Sequence, residues 1–252
     1  EISECLVGSE MCIRDSVFTK YPALNHILHK VNNTIDFAPM DTLVVTRTAY
    51  RLTEKLHQEH TEAMDQLSKG HPYDMSTNIF DRLPQFFFNE APNDGNKYIR
   101  ILGRENSQRV YKYIRSDYVN QPKNLFQYKI FLPSANGNGV FGETLTAPVL
   151  GIPGIGSTET FISVGCFDSK AEATNLLKYI KSKFARAMLN VLKITQHLTP
   201  DVWKYVPRQD FTDKSDIDWS VSIANIDKQL YKKYGLSEEE IAFIETNVKE
   251  ME

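Results

Sequence analysis

The sequence predicts an α+β fold: a mixed, mainly antiparallel sheet packed by one long amphipathic helix, with helical N-terminal and C-terminal segments. Three observations carry this expectation. Short runs rich in Tyr, Ile, Val and Phe between residues 86 and 132 are separated by Gly, Asn and Asp, as consecutive antiparallel strands would be. One sustained helical period follows, over residues 169–193. The order is strands and then helix, not the regular alternation of a doubly wound α/β fold.

Residues 1–16 are expected to lie outside the fold. The stretch LVGSEMCIRDS (residues 6–16) reads as a transposase sequencing adaptor translated in one frame, and it lacks the long apolar core of a secretion signal. The natural N-terminus is therefore expected to be missing. Cys5 and Cys12 fall in this segment, which leaves Cys166 as a small buried hydrophobe in a reducing compartment.

Residues 17–33 carry a short helical pattern in Leu24, Ile27, Leu28 and Val31, ended by Asn32 and Asn33. Residues 41–45 read equally as a strand or a helix start. Residues 48–67 form a polar helix with Tyr50, Leu52, Leu56, Ala63, Met64 and Leu67, with Gly70 and Pro72 beyond its end. A second block starts near Tyr73. Residues 75–80 read as an ordered loop. Strands are expected at 86–88, 98–102, 110–114 and 125–132, with Phe126, Tyr128, Ile130 and Leu132 on one face of the last and Gln127, Lys129 and Phe131 on the other. Residues 134–139 form a loop, and the Gly/Pro-rich stretch 148–156 leads into a strand at 161–167.

The long helix starts at Ser169, with Glu172 completing a capping-box pattern. Ala173, Leu176, Leu177, Ile180, Phe184, Met188 and Val191 make its apolar face; Lys178, Lys181, Arg186 and Lys193 are expected on a solvated basic face. It runs out at Thr195-Gln196-His197, before Pro200. Residues 210–220 read as a loop and 226–234 as a helix ended by Gly235. Ser237 caps a final helix whose first turn holds Glu238, Glu239 and Glu240, where carboxylates suit the helix dipole.

The 252 residues are 41% hydrophobic and 24% charged, an ordinary globular composition. No apolar run reaches the ~18 residues of a membrane helix, and a cytoplasmic location is expected. The net charge of −3 is unevenly spread: residues 97–129 hold eight basic and two acidic residues, +6, so the remainder carries −9. That asymmetry points to a polyanion-facing surface on an acidic body.

Several chemistries are argued against by what the sequence lacks. Gly151 to Thr158 mimics a phosphate-cradling loop, but it has no lysine and leads into a strand. The pairs His26/His29 and His57/His60 have helix spacing but no further ligands to complete a metal site. Asp74, Asp81 and Glu90 are scattered, without the lysine of a Mg²⁺-dependent nuclease centre. What remains is a binding surface. Lys112, Arg115 and Lys129 are candidates to hold phosphates, interleaved with tyrosines. Asn136 and Asn138 in the glycine loop, and Thr195, Gln196 and His197 at the helix end, are candidates to lie near bases or backbone.

Three patterns occur in one order: the strand 161–167 with its helix, then KITQHLTPDVWKYVPRQDF, then YKKYGLSEEEIAFIE. Together they resemble the C-terminal part of adenine-specific DNA methyltransferases of type II restriction–modification systems, some of which carry a fused endonuclease. The resemblance is strongest over residues 125–252 and extends back to Tyr73. It implies a DNA target-recognition domain at 73–252, a helical connector at 17–72, and double-stranded DNA as the partner. It also implies an upstream domain that transfers a methyl group from S-adenosylmethionine to a flipped-out adenine. Neither an Asn-Pro-Pro-Tyr tetrapeptide nor a glycine-bearing cofactor strand occurs in this sequence, so no catalytic, cofactor or metal residue is assigned here. The alternatives are a Mg²⁺-dependent restriction endonuclease, and a non-catalytic interaction module that uses the helix at 48–67 and the acidic tail.

Overall fold

Pro22, with its fixed φ and missing N–H, sits in the first turn of the first helix, α1 (Pro22–Asn32), whose Leu24, Ile27, Leu28 and Val31 are all buried. In this computed structural model, which describes residues 19–137, 140–193 and 197–251, the ambiguous stretch 41–45 is both things at once. A 3-10 turn (Met40–Leu43) runs into the short strand β1 (Val44–Val45).

The helix expected over 48–67 does not form as one element. Arg51 to Thr53 are extended, with Leu52 N–H donating to the Tyr73 carbonyl and Thr53 N–H to the Tyr118 carbonyl. Only α2 (Glu54–Glu59) is α-helical, and a 3-10 segment (Thr61–Gln66) follows the non-helical His60. Of the apolar positions, Leu56, Ala63 and Leu67 are buried, while Met64 is exposed. Long-range backbone pairing outweighed local propensity. Residues 75–80 run into a single helical turn, α3 (Ile79–Arg82). Residues 86–88 are not a strand either: Pro84–Phe86 is a 3-10 turn, and only Phe88 pairs, with Tyr113.

The strands are β2 (Tyr98–Glu105), β3 (Gln108–Arg115), β4 (Tyr128–Pro133), β5 (Val149–Gly151), β6 (Ile155–Ser157) and β7 (Phe161–Phe167). They form two sheets. The first, in order β1-β7-β4-β5, is antiparallel throughout. The second, β3-β2-β6, joins an antiparallel hairpin to a parallel third strand. The first sheet is covered on both faces. Ile130, Leu132, Ile162 and Val164 join one core with the helices, and Phe131 and Phe161 join another with Tyr50, Phe80, Ile99, Ile101 and Ile114. That is why β4 reads as a near-continuous apolar run rather than an alternation.

The long helix is two helices, α4 (Lys170–Lys181) and α5 (Lys183–Leu189), broken at Ser182. The break is built in. The Ser182 hydroxyl accepts from the Ala185 N–H, and the Asp227 carboxylate accepts from the N–H groups of Lys183 (3.0 Å) and Phe184 (2.9 Å). Together they satisfy the amides that open α5. Ser169 caps α4 through the Ala171 N–H. The reciprocal capping box forms instead at Ser237 and Glu240, opening the last helix, α7 (Glu238–Asn247), after α6 (Ile223–Lys233).

The solvated basic face expected on this helix is largely interior. Arg186 is 1% and Lys193 2% exposed. The Arg186 guanidinium donates to the carbonyls of Lys181, Glu143 and Lys249, and Lys193 pairs with Glu143. Lys178 donates to the carbonyls of Trp219 (2.6 Å) and Val221 (3.2 Å). Apart from the Lys181 carbonyl, these acceptors come from remote segments of chain, which a helical wheel cannot see.

Candidate nucleic-acid interface

The charged stretch 97–129 folds around the β2–β3 hairpin. Its register opposes Tyr98 to Arg115, Arg100 to Tyr113, Leu102 to Tyr111 and Arg104 to Arg109. Directly opposed residues share a face, and alternate residues along a strand share it too. One face of the hairpin therefore carries four arginines, three tyrosines and Leu102. The other carries Ile99, Ile101, Gly103, Val110, Lys112 and Ile114, several of which enter the second core.

Among the described residues, Arg100, Arg104 and Arg109 have no carboxylate at ion-pair distance. Arg100 lies over the ring of Tyr111 (5.6 Å to the centroid), a cation–π contact that leaves Tyr111 37% exposed. Arg109 lies over Phe161 (5.7 Å) and donates to the Ala147 carbonyl (2.7 Å). Burial, and next the nearby charge of Arg104, lower the Arg109 pKa. Arg104 itself is exposed, beside the hairpin turn.

The residues expected to hold phosphates are placed differently. Lys112 lies on the opposite face, paired with Glu105 (2.7 Å) and over the ring of Phe80. Arg115 shares the arginine face but is engaged, bonded to Asp117 (2.7 Å and 3.1 Å) and Glu59 (3.0 Å) and lying over Tyr118. The Arg115 guanidinium, opposed by some burial, holds the Asp117 carboxyl down at about 2. Lys129 is wholly buried. Its ammonium donates to the carbonyls of Asn124 (2.6 Å), Leu125 (3.1 Å) and Gln127 (3.2 Å), and burial lowers its pKa to about 7. It closes the 3-10 turn Lys123–Phe126 from inside and does not reach an external phosphate.

The candidate base-proximal residues are partly gathered. Ala135 pairs with His197, and the Leu198 N–H donates to the Ser134 carbonyl (2.8 Å), so the glycine loop and the helix end lie side by side. His197 is exposed. Asn136 points inward: its Oδ1 accepts from the Thr146 N–H and hydroxyl (both 2.9 Å), and its Nδ2 is buried with no partner among the described residues. Asn138, Thr195 and Gln196 lie outside the described residues. Ser157, the last residue of β6, and Thr158 are buried, so their hydroxyls do not face outward.

The other chemistries gain no support. Asp74 is engaged with Arg51 (3.1 Å) and His71 (2.7 Å), and Asp81 and Glu90 are exposed. His57 is buried against the Pro72 carbonyl (2.6 Å), and His60 contacts the Tyr118 hydroxyl. Among the described residues, no three His, Cys, Asp or Glu side chains are grouped to hold a metal ion. Cys166 is half-buried and free, its thiol donating to the Gln127 side chain.

The arginines the sequence reading missed were detectable in principle. Tyr-x-Arg-x-Leu-x-Arg and Arg-x-Tyr-x-Tyr-x-Arg both have strand period, but their register was needed to put them on one face. Among the described residues no helix is long and apolar enough to cross a membrane. No protein-family profile matches the chain, and no curated protein or solved structure matches it significantly.

Proposed function

We propose that this chain binds double-stranded DNA as the target-recognition part of a restriction–modification adenine methyltransferase. Methyl transfer from S-adenosylmethionine would belong to a catalytic domain whose motifs this sequence does not contain. The observation that carries the reading is the β2–β3 face: Arg100, Arg104 and Arg109, without carboxylate partners among the described residues, interleaved with Tyr98, Tyr111 and Tyr113. Like charges opposed at Arg104 and Arg109 disfavour folding unless an anion or solvent relieves them. A row of arginines spaced along a strand matches the repeated charge of a phosphate backbone. The methyltransferase part of the reading rests on the resemblance of residues 125–252.

The test is binding of the chain to a mixed-sequence duplex of about 30 base pairs across a salt series of about 50–300 mM. Three phosphate contacts predict a slope of log affinity against log salt of about −3. A flat slope or no binding overturns the reading. A preference for the corresponding single strand of about tenfold or more would replace duplex recognition by single-strand binding.

A further inference from the structure

Resting on the DNA-binding reading above, we infer that the tip of the β2–β3 hairpin is the element that reads base sequence. Asn106 and Gln108 contact base edges in the major groove while Arg104 and Arg109 straddle the phosphates at its mouth.

The hairpin projects as a two-stranded ribbon. The third strand, β6, pairs with β2 only at Arg100, Ile101 and Leu102, and the Thr158 N–H ends this contact on the Leu102 carbonyl (2.9 Å). Past Gly103, which packs against Phe80 and Thr158, the pairs Arg104–Arg109 and Glu105–Gln108 continue to the turn without a third strand, the Arg109 side chain resting on Phe161 and the Ala147 carbonyl. The dimensions suit a groove. Paired strands lie about 4.8 Å apart and the major groove is about 12 Å wide. At ~3.4 Å per residue, a groove about 8.5 Å deep takes the last two or three residue pairs of a ribbon. Glu105 to Gln108 then reach the base edges, and the two arginines stop at the level of the phosphates.

The tip is chemically suited to the task. Arg104, Asn106, Ser107 and Gln108 are exposed, and their side chains make no hydrogen bond among the described residues. Asn and Gln carry the donor–acceptor pair that matches adenine N6 and N7. The one carboxylate at the tip, Glu105, would repel phosphate, and Lys112 neutralises it from the opposed strand (2.7 Å). The turn itself is strained. Asn106 (φ +49°) and Ser107 (φ +63°) both occupy the left-handed region, where a type I′ turn prefers Asn followed by Gly. The hairpin thus holds a side-chain-bearing residue at its apex where glycine would be easier to accommodate.

A pool of duplex DNA with about 12 randomised base pairs, bound by the full chain and sequenced before and after selection, tests this. The wild-type chain is expected to enrich a motif containing adenine. The variant Asn106→Ala/Gln108→Ala is expected to bind the unselected pool within about threefold of wild type, while its preference at one or two base pairs falls about ten- to a hundredfold. Asn106→Asp, which keeps the left-handed turn, guards against a misfolded hairpin. It is expected to shift preference at one position from adenine towards cytosine, whose amino group a carboxylate accepts from. An unchanged motif in both variants overturns the inference, as does a wild-type chain that binds the pool without enriching any motif. A wild-type chain that fails to bind the pool at about 50 mM salt overturns the DNA-binding reading itself.

Discussion

Two regions of this molecule carry basic side chains in similar density and use them in opposite ways. On the β2–β3 hairpin, Arg100, Arg104 and Arg109 keep their charge at least partly in solvent with no carboxylate beside them among the described residues. Around α4 and α5, Arg186 and Lys193 are buried and hold remote stretches of chain together: Arg186 ties the carbonyls of Lys181, Glu143 and Lys249 at one point. A formal charge thus stays available to a partner where the fold brings no carboxylate to it and leaves it partly in solvent. Burial of a guanidinium is tolerated because its planar fork can meet several carbonyls at once.

The contrast can be broken most sharply at Arg186. Arg186→Met leaves three carbonyls without their donor, and chemical denaturation is expected to show a loss of about 3–5 kcal/mol with DNA affinity unchanged where the protein remains folded. The converse is Arg100→Ala/Arg104→Ala/Arg109→Ala. Stability is expected to change by about 1 kcal/mol or less, because Arg104 is exposed and Arg100 and Arg109 are only half-buried, while affinity falls about 100-fold and the salt slope shrinks by about 2–3.

Buried ionisable groups sharpen the comparison through pH. Burial, opposed by the N–H groups of Phe184 and Lys183, raises the Asp227 carboxyl to about 6. A raised carboxyl binds its proton more tightly in the folded state, so its contribution is full below its ordinary value of 3.8 and is lost as pH rises through about 6. Asp227→Asn is expected to remove this fall across pH 4–6 while losing about 1 kcal/mol of the α5 cap. Lys129 acts in the other direction. Burial lowers its ammonium to about 7 from an ordinary 10.5, so the unfolded chain binds the extra proton between these values and stability rises with pH across that window. Thermal melts of Lys129→Met are expected to lack that rise. The smallest effect is at the hairpin apex: Ser107→Gly relieves a left-handed φ of +63° and is expected to stabilise the fold by about 0.5–1 kcal/mol.

Legibility followed the range of the interactions. Ser237 and Glu240, three residues apart, formed the capping box that their first turn allows, and Gly235 took the left-handed conformation (φ +59°) that ends α6. The strands expected at 98–102 and 110–114 instead run to Glu105 and from Gln108, and the chain reverses at Asn106-Ser107. The candidate site was half legible. Its basic character was visible in the count over residues 97–129, but the choice of Lys112, Arg115 and Lys129 over Arg100, Arg104 and Arg109 was not. Choosing among them required knowing which strand face meets the core and which carboxylates arrive from elsewhere.

By itself, then, the sequence determined the α+β class, the strand-rich middle, the apolar stripe of residues 173–191 and the local caps, because each depends on neighbours a few residues apart. Only the tertiary structure decided that this stripe is broken at Ser182 by a carboxylate from α6, that the strands divide into two sheets with β6 parallel to β2, and that Lys129, Arg186 and Lys193 are interior. The physical reason is common to all three. Where a charge or an amide finds its partner depends on chain brought in from far along the sequence, 44 residues away for the Lys183 amide and 63 for the Arg186 guanidinium, and no local period records it.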